Sequence, residues 1–422
     1  MSREFEDALN EMEKGQDHLF ITGRAGTGKS TLLQLFKSTT NKKGVVLAPT
    51  GVAALNVQGQ TIHSFFSFPP HFKIGDHISK RRNRKLFRAL EFIIIDEISM
   101  VRADLLDHID RFLQLNRENS NAFGGVKMIF FGDMFQLPPV VATQEEKIYL
   151  SKHYSSPYFF SSDVFARLSN FQFIELRTVY RQESKYFIRL LDQVRTNTLD
   201  LEGLEELNGR AISALGTIEA SGITLCARNA TANQINSRKL NGIDQISFSY
   251  MASVVGKFPE HRFPTDAILE LKEGAQVMFI KNDVDKQFVN GTLGSIVELS
   301  TKKIIVQLAE GDEGKRIEVT PVSWDIIRYK WLEKEQKIDM EVTGSFKQLP
   351  LKLAWAITIH KSQGKTFDRI TVDLGSGAFE SGQTYVALSR CRTLEGIFLK
   401  QKLKPRDIFI DPEILEFYDT YR

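Results

Sequence analysis

Eight residues, Gly23-Arg24-Ala25-Gly26-Thr27-Gly28-Lys29-Ser30, constrain this chain more than any other stretch. They fit the pattern G-x-x-x-x-G-K-[ST] at every position. The apolar run 18–22 before them reads as a buried strand, and 31–36 after them places apolar residues at helical spacing. A glycine-rich turn between strand and helix lets the backbone curl. Its amides and the positive helix end then surround a polyphosphate. Gly23, Gly26, Thr27, Gly28 and Thr31 are therefore candidate cradle residues. Lys29 can reach the β and γ phosphates, and the Ser30 hydroxyl can hold magnesium. An ordinary glycine turn is the alternative, but it does not require a strand and a helix on its two sides.

The chain has 422 residues, room for roughly two to four domains. Charged residues make up 25% and the hydrophobic set 42%, the balance of a soluble globular protein. Lys plus Arg exceeds Asp plus Glu by 55 − 52 = +3. So small an excess makes any polyanion site a local groove, not a whole face. Cys226 and Cys391 match no metal spacing and read as small core residues in a reducing compartment. No apolar run approaches membrane-spanning length. The acidic, amphipathic start (Met1-Ser2-Arg3-Glu4-Phe5-Glu6-Asp7) is unlike a presequence. A cytoplasmic location is expected, nucleoid-associated if the source is bacterial.

Strand-like runs at 19–22, 45–48, 92–96 and 127–132 alternate with helical patterns. One of these, 103–115, sets Leu105, Leu106, Ile109, Phe112 and Leu113 on one face. Alternation of this kind predicts a parallel sheet covered by helices. A loop at 65–75, rich in Phe, Pro and His, reads either as a wedge against duplex or as a plug between lobes. The basic run at 80–88 reads as a solvated helix face. After Arg177 a strand-then-helix pattern returns at 225 and 229–240. Region 274–343 differs: short β-rich pieces at 276–280, 294–299, 303–308 and 316–319 are punctuated by Asn290-Gly291 and Glu310-Gly311-Asp312 turns. That texture predicts a small barrel inserted in a larger α/β domain. The α/β pattern resumes at 354–360.

Two further segments carry chemistry. The run 92–95 ends in Asp96-Glu97, which places both carboxylates at the carboxyl edge of a buried strand, where parallel sheets bind ligands. Asp96 is the candidate magnesium holder through water, and Glu97 the base that deprotonates the attacking water. The run 128–131 leads through Gly132-Asp133 to Gln136, placed to sense a γ-phosphate. Phe135, Pro138 and Pro139 offer flat apolar surface for a base. A turn with a satisfied Gln and a core Phe is the alternative.

These residues and others occur in the order of the motifs of superfamily-one helicases: GRAGTGKS, APTGVAALN with TIHSFF, IIIDEISMV, FFGDMFQLPPV, VYRQ, IHKSQGKTFD and TYVALSRCR. The set resembles the Pif-type subgroup, relatives of RecD, over about 20–399. Asp110-Arg111-Phe112 leading to Phe123-Gly124-Gly125 resembles that subgroup's own segment, with Ala122 where proline is usual. A second departure lies near the N-terminus, where Phe5-Glu6 occupies the neighbourhood of the family's adenine-reading Gln.

The resemblance implies an α/β fold of two RecA-like lobes with parallel sheets, an inserted SH3-like β-barrel and a short wedge-loop insertion. The expected division is 1–180 for the first lobe (wedge about 65–80), 181–273 and 344–422 for the second, and 274–343 for the β module. ATP with Mg2+ would be clamped between the lobes. Lys29, Glu97 and Gln136 would act from the first lobe, and Arg181 and Arg390 from the second, with Gln363 and Gly364 near the nucleotide. Single-stranded DNA would lie on Pro49, Thr50, Gly51, His63, Ser64 and Phe65, with Phe135 and Pro138, and on Thr358, His360, Lys361 and Ser362. The implied activity is ATP-dependent 5′→3′ unwinding of forked or tailed duplex DNA, with G-quadruplexes and RNA–DNA hybrids as further candidate substrates. A monomer is expected, or a dimer on DNA. The rival readings are a RecD-like exonuclease-subunit helicase and a DNA-stimulated ATPase switch that does not unwind.

Overall fold

The computed structural model describes residues 2–69, 78–141, 143–215, 222–283, 285–309 and 314–421, with 214 and 215 described by backbone alone. The chain divides into two compact units. The first comprises Met1–Tyr180, Ile326–Thr343 and Asp411–Arg422, and the second Arg181–Asp325 and Gly344–Ile410.

The first unit is built on a six-stranded parallel sheet: β1 (His18–Gly23), β2 (Gly44–Ala48), β3 (Gln60–Thr61), β4 (Phe92–Ile95), β5 (Lys127–Phe131) and β6 (Phe171–Leu176), in the order β3-β2-β4-β5-β1-β6. Every residue of β1 and β4 is buried. Both faces of the sheet are covered, so these strands read as continuous apolar runs without alternation. On one face α1 (Arg3–Lys14) and α2 (Lys29–Thr39) bring Phe5, Ala8, Met12, Leu32, Leu33 and Phe36 against Leu19, Ile21, Ile94, Ile129 and Phe131. On the other, Phe20 packs on Phe159 at 5.6 Å and on Phe417 at 6.0 Å between ring centroids. Each such buried ring contributes about 1.5–3 kcal/mol. The chain leaves β1 and returns at β2, on the far side of β4 and β5. The glycine-rich turn therefore opens where the strand order reverses, at the carboxyl edge.

The segment Asp110-Arg111-Phe112 to Gly125 is held by polar contacts. Asp110, on the helix Ala103–Arg117, accepts from the Phe123 amide at 2.6 Å, and Arg117 donates to the Gly124 carbonyl at 2.7 Å. Phe123 and Gly124 take left-handed φ values of 53° and 60°. The basic run behaves as a solvated face: Lys80, Arg84 and Arg88 all meet the exposed carboxylate of Glu118. Hydrogen bonds from Arg84 and Lys80 hold that carboxyl down to about 2.

In the second unit four parallel strands run in the order Ala356–Thr358, Ile223–Cys226, Ile370–Asp373, Ile397–Leu399. A five-stranded antiparallel sheet follows the order Arg316–Glu318, Ile304–Leu308, Leu293–Leu299, Gln276–Phe279, Leu351–Leu353. Val277, Phe279, Ile296, Val306 and Ile317 form its core. Smaller antiparallel pieces, Phe248–Met251 with Ile268–Leu271 and Ser253–Gly256 with Lys337–Gln348, belong to the same β-rich region.

Four expectations need correction. The β-rich region starts before 274 and runs past 343, because strands on both sides complete its sheets. Residues 411–422 belong to the first unit and not the second: Tyr418 and Phe417 of the helix Pro412–Tyr421 fill the aromatic core there. Residues Ile326–Thr343 also belong to the first unit, where Tyr329 donates its amide to Gln60 Oε1 at 3.3 Å and accepts from the Val46 amide at 3.2 Å. The wedge candidate begins as a helix, Ile62–Phe66, with Phe65 and Phe66 buried. Its residues 70–77 and the Glu310-Gly311-Asp312 turn lie outside the described residues. Cys226 and Cys391 are both fully buried, as expected of core residues. Among the described residues no helix is long and apolar enough to cross a membrane.

Candidate nucleotide and nucleic-acid sites

In the first unit the turn after β1 has the backbone a phosphate cradle needs. Gly23 and Gly28 take φ values of 149° and 85°. A Cβ on Gly23 would come within 2.4 Å of the Leu176 carbonyl, and one on Gly28 within 2.7 Å of the Phe5 ring. No larger side chain fits either place, so the loop passes close to its supports. Thr27 is buried and turns its hydroxyl back to the Arg24 carbonyl at 3.0 Å, a structural contact. Lys29 donates to the carbonyls of Gly23 at 2.6 Å and Arg24 at 3.1 Å, which fixes its ammonium over the loop. Ser30 and Thr31 are exposed in the first turn of α2.

At the end of β4 the Asp96 amide donates to Leu47 O at 2.9 Å and aims the residue out of the strand. Glu97 then turns sharply, with a left-handed φ of 52°. Burial first, and the Glu97 carboxylate second, hold the Asp96 carboxyl well above the usual carboxylate range, while Lys29 opposes the shift. A carboxylate in that setting gains from a cation beside it. The donor set, one carboxylate and one exposed hydroxyl, suits magnesium that takes its remaining ligands from phosphate and water. No cluster of three or more His, Cys, Asp or Glu side chains with metal-holding geometry occurs among the described residues. Gln136 is buried, its amide nitrogen 3.3 Å from the carboxylate of Asp133, which also accepts from the Phe135 amide at 3.2 Å.

Phe135 does not present a face for base stacking. Its ring is buried, 4.6 Å from Tyr418, so the core reading of that segment is the observed one. Phe65 is corrected in the same way, lying edge-on to Phe66, Phe87 and Tyr329. Pro138 is partly exposed. Pro49 and Thr50, just before the short helix Gly51–Asn56, Gly51 at its start, and His63 and Ser64 on the short helix Ile62–Phe66 are also partly exposed. Thr50 caps the first by accepting from Ala53 N at 3.2 Å, and Gln60 donates to Ser64 Oγ at 2.9 Å.

In the second unit Arg181 and Arg390 stand side by side. Arg181 donates to Ser389 O at 3.1 Å, and Arg390 to Val386 O and Ser389 Oγ, each at 2.9 Å. Burial, then the neighbouring Arg390 charge, push the Arg181 guanidinium down to about 9. Two crowded guanidiniums of this kind favour an incoming anion. Gln182, which the motif reading left without a role, clips the carbonyls of Ser389 at 3.2 Å and Cys391 at 2.8 Å. Gly364 has a φ of 75° and open space on its side-chain face. The side-chain nitrogen of Gln363 is buried without a hydrogen-bond partner among the described residues, as a ligand-reading amide would be.

Thr358 closes its strand and accepts from Lys361 N at 3.4 Å. Lys361 is exposed. Burial of its stem, then Lys352, lower the ammonium's pKa. Ser362 is buried and donates to Ile359 O at 2.7 Å, so its hydroxyl is directed inward and not toward a strand. His360 Nε2 lies 3.0 Å from Glu380, a partner that no motif spacing announces.

Comparison with known proteins places the chain in one family. The PIF1-like helicase family matches residues 3–203, and the 2B domain of DNA helicase Pif1 matches 259–299. The chain is 33% identical over 434 residues to the ATP-dependent DNA helicase Pif1 of Bdellovibrio bacteriovorus, covering 100% of this chain and 92% of that protein. It is 33% identical to the human ATP-dependent DNA helicase PIF1, again over 100% of this chain but only 64% of that longer protein. Among solved structures, Pif1 of a Bacteroides species in complex with ADP-AlF4 superposes with a TM-score of 0.91 at 36% identity, covering 100% of this chain and 96% of that one. Bacteroides Pif1 bound to single-stranded DNA gives 0.70 at 37% identity, covering 100% and 96%. The chain belongs to the PIF1-like helicases.

Proposed function

We propose that this chain, an ATP-dependent DNA helicase, moves 5′→3′ along single-stranded DNA and separates duplexes that carry a 5′ tail. The observation that carries its ATP-driven part is the pairing, in one unit, of the Lys29 ammonium over the phosphate loop with a carboxyl, Asp96, whose environment penalises its charge unless a cation joins it; the polarity rests on membership of the PIF1-like family.

Each residue then has a role. Gly23, Gly26, Gly28 and Lys29 cradle the β and γ phosphates. Ser30 and Asp96 would hold magnesium, which when bound neutralises phosphate charge. Glu97 takes the proton of the attacking water, and Gln136 senses the γ-phosphoryl group from its place on Asp133. Arg181 and Arg390 neutralise charge that develops on that group in the transition state. Gln363, with its unpartnered amide, and Gly364 face the nucleotide. Thr50, Gly51, His63 and Ser64 of the first unit and Thr358, His360 and Lys361 of the second hold the DNA backbone. Forked and tailed duplexes are the substrates, with G-quadruplexes and RNA–DNA hybrids as further ones.

The test is displacement of a labelled strand from matched duplexes with a 5′ or a 3′ tail, with ATP and magnesium present. Displacement on the 5′ tail is expected. Preference for the 3′ tail overturns the polarity, and single-strand-stimulated ATPase without displacement on either substrate favours a non-unwinding ATPase.

A further inference from the structure

A pair of exposed side chains outside every motif residue considered above has the form of a nucleobase platform. Phe379 is 49% exposed. Its backbone is nevertheless pinned from beneath. The Phe379 amide donates to the fully buried Gln383 at 3.1 Å, and the Ala378 amide to the buried Asp407 at 3.3 Å. A Cβ on Gly377 would come within 2.7 Å of the same Asp407 carboxylate, so the loop lies tight on its support. A large ring is thus held out in solvent by a rigid loop.

The ring has a cationic neighbour. The Arg228 guanidinium, at the start of the helix Asn229–Asn241, lies 5.8 Å from the Phe379 ring centroid. Arg228 is exposed, and its guanidinium pairs with no carboxylate among the described residues. The next residue, Glu380, meets His360 at 3.0 Å, which ties the loop to the segment assigned above to the DNA backbone. A flat apolar face, an unpaired guanidinium and a backbone-holding segment are the components of a single-strand stacking site.

We propose that Phe379 and Arg228 form a base-stacking platform on the second unit, which receives one nucleobase of the single strand whose backbone passes His360. The proposal rests on the reading of His360 and its neighbours as DNA contacts. It assigns the platform a sequence-tolerant grip, because every base has a π-face and no base-edge hydrogen bond is involved.

The test compares oligo-dT with a strand of equal length in which every nucleotide is abasic, by fluorescence anisotropy at fixed salt. The wild-type protein should bind oligo-dT more tightly than the abasic strand. Phe379→Ala should lose about tenfold on oligo-dT and little on the abasic strand. Phe379→Leu, which keeps bulk without a π-face, should behave like the alanine variant, and Phe379→Trp should restore the wild-type preference. Arg228→Ala should weaken both strands and flatten the salt response. Equal losses on both strands for Phe379→Ala and Phe379→Leu, or no loss on either, overturn the platform. A wild-type protein that binds neither strand overturns the DNA-binding reading itself.

Discussion

Lys29 Nζ lies 2.6 Å from the carbonyl oxygen of Gly23, so the phosphate loop already holds its own lysine in place. An incoming polyphosphate exchanges one set of oxygens for another and does not have to order a free side chain. Lys29→Ala should weaken nucleotide binding and lower turnover by about a hundredfold or more. Titration with a fluorescent ATP analogue alongside steady-state ATPase checks both effects. Unchanged nucleotide affinity would remove Lys29 from the cradle.

Glu97→Gln keeps the shape of the turn and loses the base. Turnover should fall by about 10²–10⁴-fold while ATP still binds. Near-normal DNA-stimulated hydrolysis in this variant would move the base elsewhere.

Arg181→Ala and Arg390→Ala should each cut turnover by about a thousandfold, with nucleotide-free affinity for single-stranded DNA little changed. The neighbouring charges give a second readout. Burial is the larger cause of the lowered Arg181 guanidinium and Arg390 the second, so Arg390→Ala removes the repulsion while the effect of burial stays. A variant with lost DNA affinity and intact ATPase would belong to the strand-binding set.

His18 supplies a pH dependence. Its Nδ1 accepts from the Met128 amide at 3.0 Å, which requires the neutral ring, and burial lowers its pKa from 6.5 to about 4. Between those values the unfolded chain binds more protons than the folded one. This contribution to stability is therefore fully present above about pH 6.5 and is lost as pH falls toward 4, by about 3 kcal/mol at most. Urea unfolding at pH 7.5 and 4.5 should show a smaller acid loss in His18→Gln than in wild type. Equal losses would assign the acid limb to other groups.

Asp110→Ala should destabilise the protein by about 1–3 kcal/mol, because it strands the buried Phe123 amide. Asp110→Asn keeps an accepting oxygen and should lose less, by the same urea measurement.

Much of the first unit is legible in the residues because its sheet is buried on both faces. Continuous runs such as Phe92–Ile95 announce their strands, and a glycine-rich turn between strand and helix announces its ligand. The strand Gln60–Thr61 escapes because two polar residues carry no pattern, and Phe171–Leu176 because it is only partly buried at the sheet edge. Sequence cannot decide Phe65 or Phe135 for one reason: an aromatic beside a motif looks the same whether it faces solvent or a ring such as Tyr418, which comes from 283 residues further along than Phe135. Glu380 and Gln182 are equally silent in sequence, since their partners are a histidine twenty positions away and two backbone carbonyls. Phe379 was invisible for the opposite reason, as exposure is a property of the folded surface and not of spacing.

The placement of Tyr418 bears on how the protein is made. Its hydroxyl lies 2.7 Å from Thr22 Oγ1, at the mouth of the phosphate loop, and its ring packs on Phe135, next to Gln136. Residues 22 and 135 leave the ribosome long before residue 418 does, and the whole of the second unit is translated in between. This edge of the first unit is therefore completed only after the second unit has been synthesised. Until then its aromatic face, lacking Phe417 and Tyr418, stays open to solvent and to chaperones. A stalled or prematurely terminated chain would emerge with its phosphate loop written but not braced.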